Sequence, residues 1–293
     1  MYKIGIDLGG TNIAAGIIDK NLSLVAKKAI PTLGSRPACD IVSDMAYLIR
    51  EMISQEGMEL NQIDSIGIGV PGVVNPKTGL VVATSNINIA GVNLRDMMHE
   101  HIDLPIFLEN DANAATLGEY VAGAAFGYTH CVMITLGTGI GGGIIVDGKI
   151  YTGKFFGAGE LGHMTIEAGG EICGCGRAGH WEAYSSATAL IRDAKKLGLE
   201  PEPKAIFEAT ETNAAANKLI EKYMYYLCLG LSNIIHIFQP DVIVIGGGIS
   251  MQGKRLIDMI EHTIPPMIYG ELHTKFAIAK LGNDAGIIGA AML

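Results

Sequence analysis

Short runs of β-branched residues alternate along the chain with longer stretches of helical spacing. Strand-like runs fall at 4–8, 13–18, 66–70, 106–108, 132–136, 143–146, 242–245 and 276–279. Helical spacing covers 40–55, 113–125, 181–197, 213–237, 254–262 and 284–292. Apolar strands that alternate with helices predict an α/β fold with buried strands. Pro201-Glu202-Pro203 reads as a local break between helices, not as a linker. The most apolar long stretch, 223–238, is interrupted by Ser232, Asn233 and His236 and reads as a buried helix. No run reaches the roughly 18 apolar residues that a membrane span needs, so none is expected. No basic segment leads an apolar run at the start, and 4–8 is already strand-like, so no signal peptide is expected.

Composition narrows the class. Hydrophobic residues make up 49% of the 293 and charged residues 17%, which supports a globular core and excludes a disordered chain. The length suggests about two domains. A net charge of -9 argues against a nucleic-acid partner, which needs a basic face. The 39 glycines have no fixed period, so they point to tight turns and close backbone approach, not to collagen. Five cysteines, of which only Cys173 and Cys175 are neighbours, do not form a disulfide framework. A reducing, cytoplasmic compartment is the expectation.

One internal echo carries most of the functional argument. Residues 4–19, IGIDLGGTNIAAGIID, resemble residues 132–147, VMITLGTGIGGGIIVD, at an offset of 128. Each reads as a strand, a Gly/Thr turn and a second strand. Successive backbone N–H groups in such turns form anion-binding concavities, and glycine lets a phosphate approach. A P-loop is excluded, because no lysine follows the glycines and the next element is a strand. A Rossmann fingerprint fails for the second reason too. Gly246-Gly247-Gly248 lies between a strand and a helix but lacks the full glycine spacing; an adenosine-side turn is the alternative.

IGIDLGGTN paired with ITLGTGIGGG resembles the two phosphate motifs of the actin/hexokinase superfold, which is ribonuclease H-like and duplicated. GELGH at 159–163 and CGCGRAGHWE at 173–182 resemble signatures of the ROK family of sugar kinases and sugar-responsive repressors. The resemblance runs from Ile4 to the terminal DAGIIGAAM. It implies two α/β lobes around a cleft: a small lobe of 1–112 plus 277–293, and a large lobe of 113–276 that holds a zinc loop at 163–182. Only a few residues precede the first motif, so the kinase branch is expected, not the repressors with their N-terminal DNA-binding module. A homodimer is expected from the family, and a mean hydropathy of +0.32 does not oppose it.

The same resemblance distributes the roles. His163, Cys173, Cys175 and His180 match the zinc ligands, with His180 where the family usually has a third cysteine. Cysteine and histidine are both ordinary zinc ligands. The exchange moves the site's formal charge from about -1 to about 0, counting one negative charge per thiolate. Asp111, in ENDAN at 109–113, matches the general base; by residue type alone it reads as a helix N-cap. Gly72, Asn86, Asn110, Glu160, His163 and Glu182 match sugar contacts. The amide of Asn110 can donate and accept at once, which suits neighbouring hydroxyls. In the sugar-covering loop 85–94, SNINIAGVNL, no tryptophan stands where glucokinase-type members carry one. Asp7 matches the carboxylate that holds Mg2+ through water. Gly9, Gly10, Thr11 and Asn12 would grip phosphates from one side and Gly137, Thr138, Gly139 and Gly141 from the other, with Gly247 and Gly248 beside the adenosine. The implied activity is ATP-dependent hexose phosphorylation with Mg2+ and a structural Zn2+, glucose first among the sugars. N-acetylmannosamine, N-acetylglucosamine, mannose, fructose and allose are the alternatives, and a non-catalytic sugar sensor is a further class.

Overall fold

The computed structural model describes residues 1–84 and 86–293. It contains two five-stranded sheets of the same design. In the first, β1 (Tyr2–Leu8) and β2 (Asn12–Ile18) form a hairpin, β3 (Leu24–Pro31) adds at the edge, and α1 (Ala38–Gln55) covers one face. β4 (Ile63–Val70) pairs parallel to β1. A small hairpin of β5 (Val73–Asn75) and β6 (Leu80–Ala83) and the short α2 (Leu94–His99) then lead to β7 (Ile106–Asn110), which is parallel to β4. The order is β3-β2-β1-β4-β7.

Helix α3 (Asp111–Ala122) leads to the second sheet. There β8 (Cys131–Leu136), β9 (Ile140–Val146) and β10 (Lys149–Ile150) repeat the antiparallel pattern. A loop-rich stretch follows, with α4 (Glu182–Ser185), α5 (Ala187–Lys196), α6 (Pro203–Glu208) and the long α7 (Ala214–Phe238). Then β11 (Val242–Gly246), α8 (Lys254–Thr263) and β12 (Lys275–Ile278) complete an order of β10-β9-β8-β11-β12. The last helix, α9 (Ala285–Ala291), returns to pack on β1, β2 and β4 of the first sheet and along α3.

The internal echo is therefore a duplicated sheet, but the two hairpins differ by one residue. Leu8 pairs with Ile13, whereas Leu136 pairs with Ile140. The turns close by Gly9 N–H to Asn12 carbonyl and by Gly137 N–H to Gly139 carbonyl, so the second turn is shorter. The constant offset of 128 holds along the first strand of each hairpin and shifts by one along the second. Gly141 consequently sits inside β9 opposite Thr135, not in the turn where it was expected.

Other departures have local causes. β3 escapes notice because Lys27 and Lys28 interrupt its apolar run; it is an edge strand with alternating half-buried and exposed positions. The helix expected over 181–197 is two helices. Ser186 is extended (ψ 166°) and caps α5 by accepting from Ala189 N–H. That break aims the Ala187 N–H at the Gly137 carbonyl, 2.8 Å away, and so holds the second hairpin's turn. Trp181, fully buried, fits against α7 because Gly230 carries no side chain there. The expected lobe borders fall inside elements: 112/113 within α3, and 276/277 within β12, whose ladder to β11 runs to Ile278. Among the described residues, no helix is long and apolar enough to cross a membrane.

Candidate active site

A cavity of about 500 Å³ opens where strand ends of both sheets meet. Asp7 reaches it from β1, Met133 and Thr135 from β8, Gly246 from β11 and Ile278 from β12, with Asp111 at the start of α3. Carboxyl ends of strands are the usual ligand end of open α/β sheets. Asp7, Asp111, Gly247 and Gly248 of the expected site are thus brought to one space. Gly247 has φ +80°, and a Cβ there would lie 2.6 Å from the Leu136 backbone, so the glycine lets the β11 turn rest against the end of β8.

Asn110, not Asp111, caps α3: its side-chain oxygen accepts from Asn113 N–H at 3.0 Å. Asp111 is the first helical residue, which leaves its carboxylate for other work. Its Oδ1 accepts from Ala112 N–H (2.9 Å) and from the Asn110 amide (3.0 Å). These bonds engage Oδ1 and leave Oδ2 the less engaged oxygen. Burial pushes this carboxyl up from 3.8 to about 6, and the charges of Asp7 and Glu160 push the same way. Burial also raises Asp7, with Lys27 opposing.

Asn110 has less hydrogen-bonding capacity to spare than its residue type suggests. Its amide donates to the Gly72 carbonyl (2.9 Å) and to Asp111, so both protons are committed and only acceptor capacity remains for a ligand. Beneath it lies Glu109, 5% exposed, which accepts from Asn110 N–H and from the Asn113 amide. Burial raises its carboxyl pKa, and its role is to hold the backbone that presents Asp111. Sequence reasoning missed this role because Glu109 looks like any loop acid. Gly72, at φ +101°, abuts the Ala83 carbonyl, which explains the glycine.

The first hairpin's turn, Gly9 to Asn12, is held by the residue that follows β3: Thr32 donates from Oγ1 to the Gly9 carbonyl (2.6 Å) and from N–H to the Thr11 carbonyl (2.8 Å). Asn86 lies against this turn, where a Cβ on Gly10 would come 3.2 Å from its own. Ser85, at the head of the expected covering loop, lies outside the described residues. On the other side, Glu182 opens α4 and accepts from Ile140 N–H at 3.4 Å, just past the turn of Gly137, Thr138 and Gly139. None of these turn residues lines the 500 Å³ cavity itself. Lining residues that sequence reasoning passed over include Thr135, Ser250, Asn283 and Gly286. Thr135, in ITLGTGIGGG, and Gly286, in the terminal DAGIIGAAM, lay in noted motifs without being singled out; a Cβ on Gly286 would come 3.0 Å from Asp7 Oδ2.

Ligand atoms of His163, Cys173, Cys175 and His180 all lie within 4.8 Å of one another. His163 Nδ1 is 3.3 Å from His180 Nδ1 and 3.7 Å from Cys173 Sγ, and Cys175 Sγ is 3.3 Å from His180 Nδ1. A tetrahedral zinc with the usual bond lengths has ligand–ligand edges of about 3.3–3.8 Å, so this donor set fits one. The two glutamates expected at the sugar flank the cluster. Cys173 Sγ donates to Glu182 Oε1 (2.7 Å), and His163 Nε2 faces Glu160 Oε2 at 4.0 Å. His163 therefore turns Nδ1 to the cluster and Nε2 away from it.

The ROK family model matches residues 3–293. A glucokinase of Halalkalibacterium halodurans is 34% identical over 100% of this chain and 94% of its own. The crystal structure of a ROK family glucokinase from Streptomyces griseus, in complex with glucose and AMPPNP, superposes with a TM-score of 0.81 at 34% identity, covering 100% of this chain and 98% of that one. The ROK hexokinase from Thermus thermophilus gives 0.88 at 32% identity, covering 100% and 97%. Regulators share the likeness: the xylose repressor of Bacillus subtilis is 29% identical over 100% of this chain and 76% of its own. With a duplicated sheet, a strand-end cavity and a match along nearly its whole length, the chain belongs to the ROK family.

Proposed function

We propose that the chain transfers the γ-phosphoryl group of ATP to a hydroxyl of a hexose, with glucose the preferred acceptor and Asp111 the general base. The observation that carries this reading is the convergence of Asp7 and Asp111 on one cavity, with Asp111 Oδ1 tied and its carboxyl raised to about 6. A base with a pKa near working pH accepts a proton in the transition state and releases it afterwards. Asp111 takes the hydroxyl proton as the sugar oxygen bonds to the γ-phosphorus. The bond from that phosphorus to the β–γ bridging oxygen breaks, and ADP leaves. Asp7 is a half-buried carboxylate on the cavity wall, which suits a Mg2+ ion that keeps most of its waters. When bound, that ion neutralises phosphate charge.

Asn110 accepts from one sugar hydroxyl, and Glu160, His163 and Glu182 bind others from the opposite side. The amides of the two hairpin turns and of Gly247 and Gly248 bind the nucleotide. The His163–Cys173–Cys175–His180 cluster holds Zn2+, which fixes a glycine-rich loop and the His163 ring. An intact base and cavity favour an enzyme over a sugar sensor.

The test is a coupled ADP-release screen with MgATP over glucose, mannose, fructose, allose, N-acetylglucosamine and N-acetylmannosamine. Glucose is expected to give the highest kcat/KM. An N-acetyl sugar ranked above it overturns the glucose assignment and leaves the kinase. No ADP release with any hexose overturns both.

A further inference from the structure

Glu119 is fully buried on α3, has no part in the chemistry above, and sits at the helix end opposite Asp111. Its Oε2 accepts from the N–H groups of Ala124 (2.7 Å) and Lys280 (3.1 Å), and its Oε1 from that of Leu281 (2.7 Å). A buried carboxylate persists only where donors replace its water, and three backbone amides do so here. Room for it depends on Gly123, where a Cβ would come 2.0 Å from Oε2.

The position of Lys280 and Leu281 gives this clamp its consequence. They begin the segment by which the chain leaves β12 in the second sheet and reaches α9 on the first. That crossing, with β12's last residue, supplies Ile278, Ala279, Gly282, Asn283, Ala285 and Gly286 to the cavity. Glu119 thus grips one wall from behind, out of reach of anything in the cavity. Just beyond the clamp, Gly282 turns the chain at φ +56°.

We propose that Glu119 is a positioning residue for the nucleotide: it fixes the 279–286 crossing so that the ATP-binding wall is formed before ATP arrives. The proposal rests on reading this cavity as the nucleotide site. Preorganisation of a wall that touches only the nucleotide affects nucleotide affinity and leaves the sugar alone.

The test compares Glu119→Gln, Glu119→Asp and Gly248→Leu with the parent. Gln puts an NH2 group against backbone donors, and a charge-assisted hydrogen bond is worth about tenfold or more in affinity. Glu119→Gln is expected to raise KM for MgATP about tenfold or more, with kcat and sugar KM within about twofold. Glu119→Asp keeps the charge and is expected to recover part of the loss. A purely structural role would lower the active fraction and leave KM for MgATP unmoved, and that result overturns the proposal. Should Glu119→Gln not fold, calorimetric MgADP binding to Glu119→Asp decides: affinity equal to the parent's overturns the proposal, and weaker affinity with unchanged sugar affinity supports it. Gly248 lines the same cavity with open space beside its Cα, so Gly248→Leu fills the cavity directly. If Gly248→Leu leaves KM for MgATP unchanged, the nucleotide reading of the cavity fails. If it weakens MgATP while the Glu119 variants do not, only the Glu119 proposal fails.

Discussion

At the scale of single residues, the Asp111 carboxyl makes two separable predictions. As the base, it should lose activity on protonation: kcat/KM is expected to fall about tenfold per pH unit below about 6, the value to which burial raises it. Asp111→Asn should lower kcat at least about 100-fold at pH 7 and above, where the parent's carboxylate is ionised, and abolish that inflection in any residual rate. The same shift bears on stability. The folded protein holds this proton more tightly than the unfolded chain does, so stability is lost as pH rises from 3.8 to about 6 and stays lost above. Asp111→Asn, which cannot ionise, is therefore expected to be more stable than the parent at pH 7, by up to about 3 kcal/mol, with no difference below pH ~4. Urea melts at the two pH values check the sign. An inactive variant that is less stable at pH 7 would mean the carboxylate holds the fold and is not strained by it. The proposed zinc site gives a third prediction. Cys173→Ser should drop metal content from about one zinc per chain, measured by elemental analysis, and raise sugar KM through His163, whereas His180→Cys should keep the metal.

At the scale of elements, the helix pair α3 and α9 sets the position of Asp111. They approach so closely that a Cβ on Gly289 would lie 1.7 Å from the Ala114 carbonyl, and one on Gly118 would lie 2.2 Å from the Ala285 carbonyl. Helices that touch backbone to backbone have no slack for a methyl group. Gly289→Ala should destabilise by about 1–3 kcal/mol or more, and by moving α3 it should lower kcat more than Gly248→Ala does. Calorimetric melts beside initial rates test this. The pair also shows what could be read from sequence. Both helices were legible from their spacing, and Asp111 from the motif around it. Their glycine contacts join residues about 170 positions apart, and no local pattern reveals which glycine meets which carbonyl. The same limit hid the break at Ser186, which is set by a tie between Ala187 and the distant Gly137. It also hid Asn110's double donation, set by the Gly72 carbonyl across the first sheet. The sheets were legible because buried strands are apolar throughout; β3 was not, because an edge strand need not be.

At the scale of the whole molecule, duplication places two similar sheets around one cavity, joined at few points: α3 on one path and the 279–286 crossing on the other. The expected sugar contacts divide between them. Gly72 follows β4 and Asn110 ends β7 in the first sheet; Glu160, His163 and Glu182 lie between β10 and β11 of the second. A hexose that touches both groups gains its full contacts only when the two sides approach, so it binds the closed arrangement more tightly and shifts the population toward it. On the proposed reading, MgADP rests on Gly247 and Gly248 on the second sheet's side and meets the first sheet only through its phosphates and metal, so it has less differential affinity and should close the molecule less. Small-angle scattering can separate the cases. The radius of gyration, about 19 Å for a compact chain of this length, is expected to fall on adding glucose and to stay nearly constant on adding MgADP. Closure also expels water that would otherwise compete with the sugar hydroxyl for the phosphoryl group. ATP hydrolysis without sugar should then be slow beside transfer. A radius unchanged at saturating glucose, with fast sugar-independent hydrolysis, would mean that the cavity is fixed open and that acceptor selection does not come from closure.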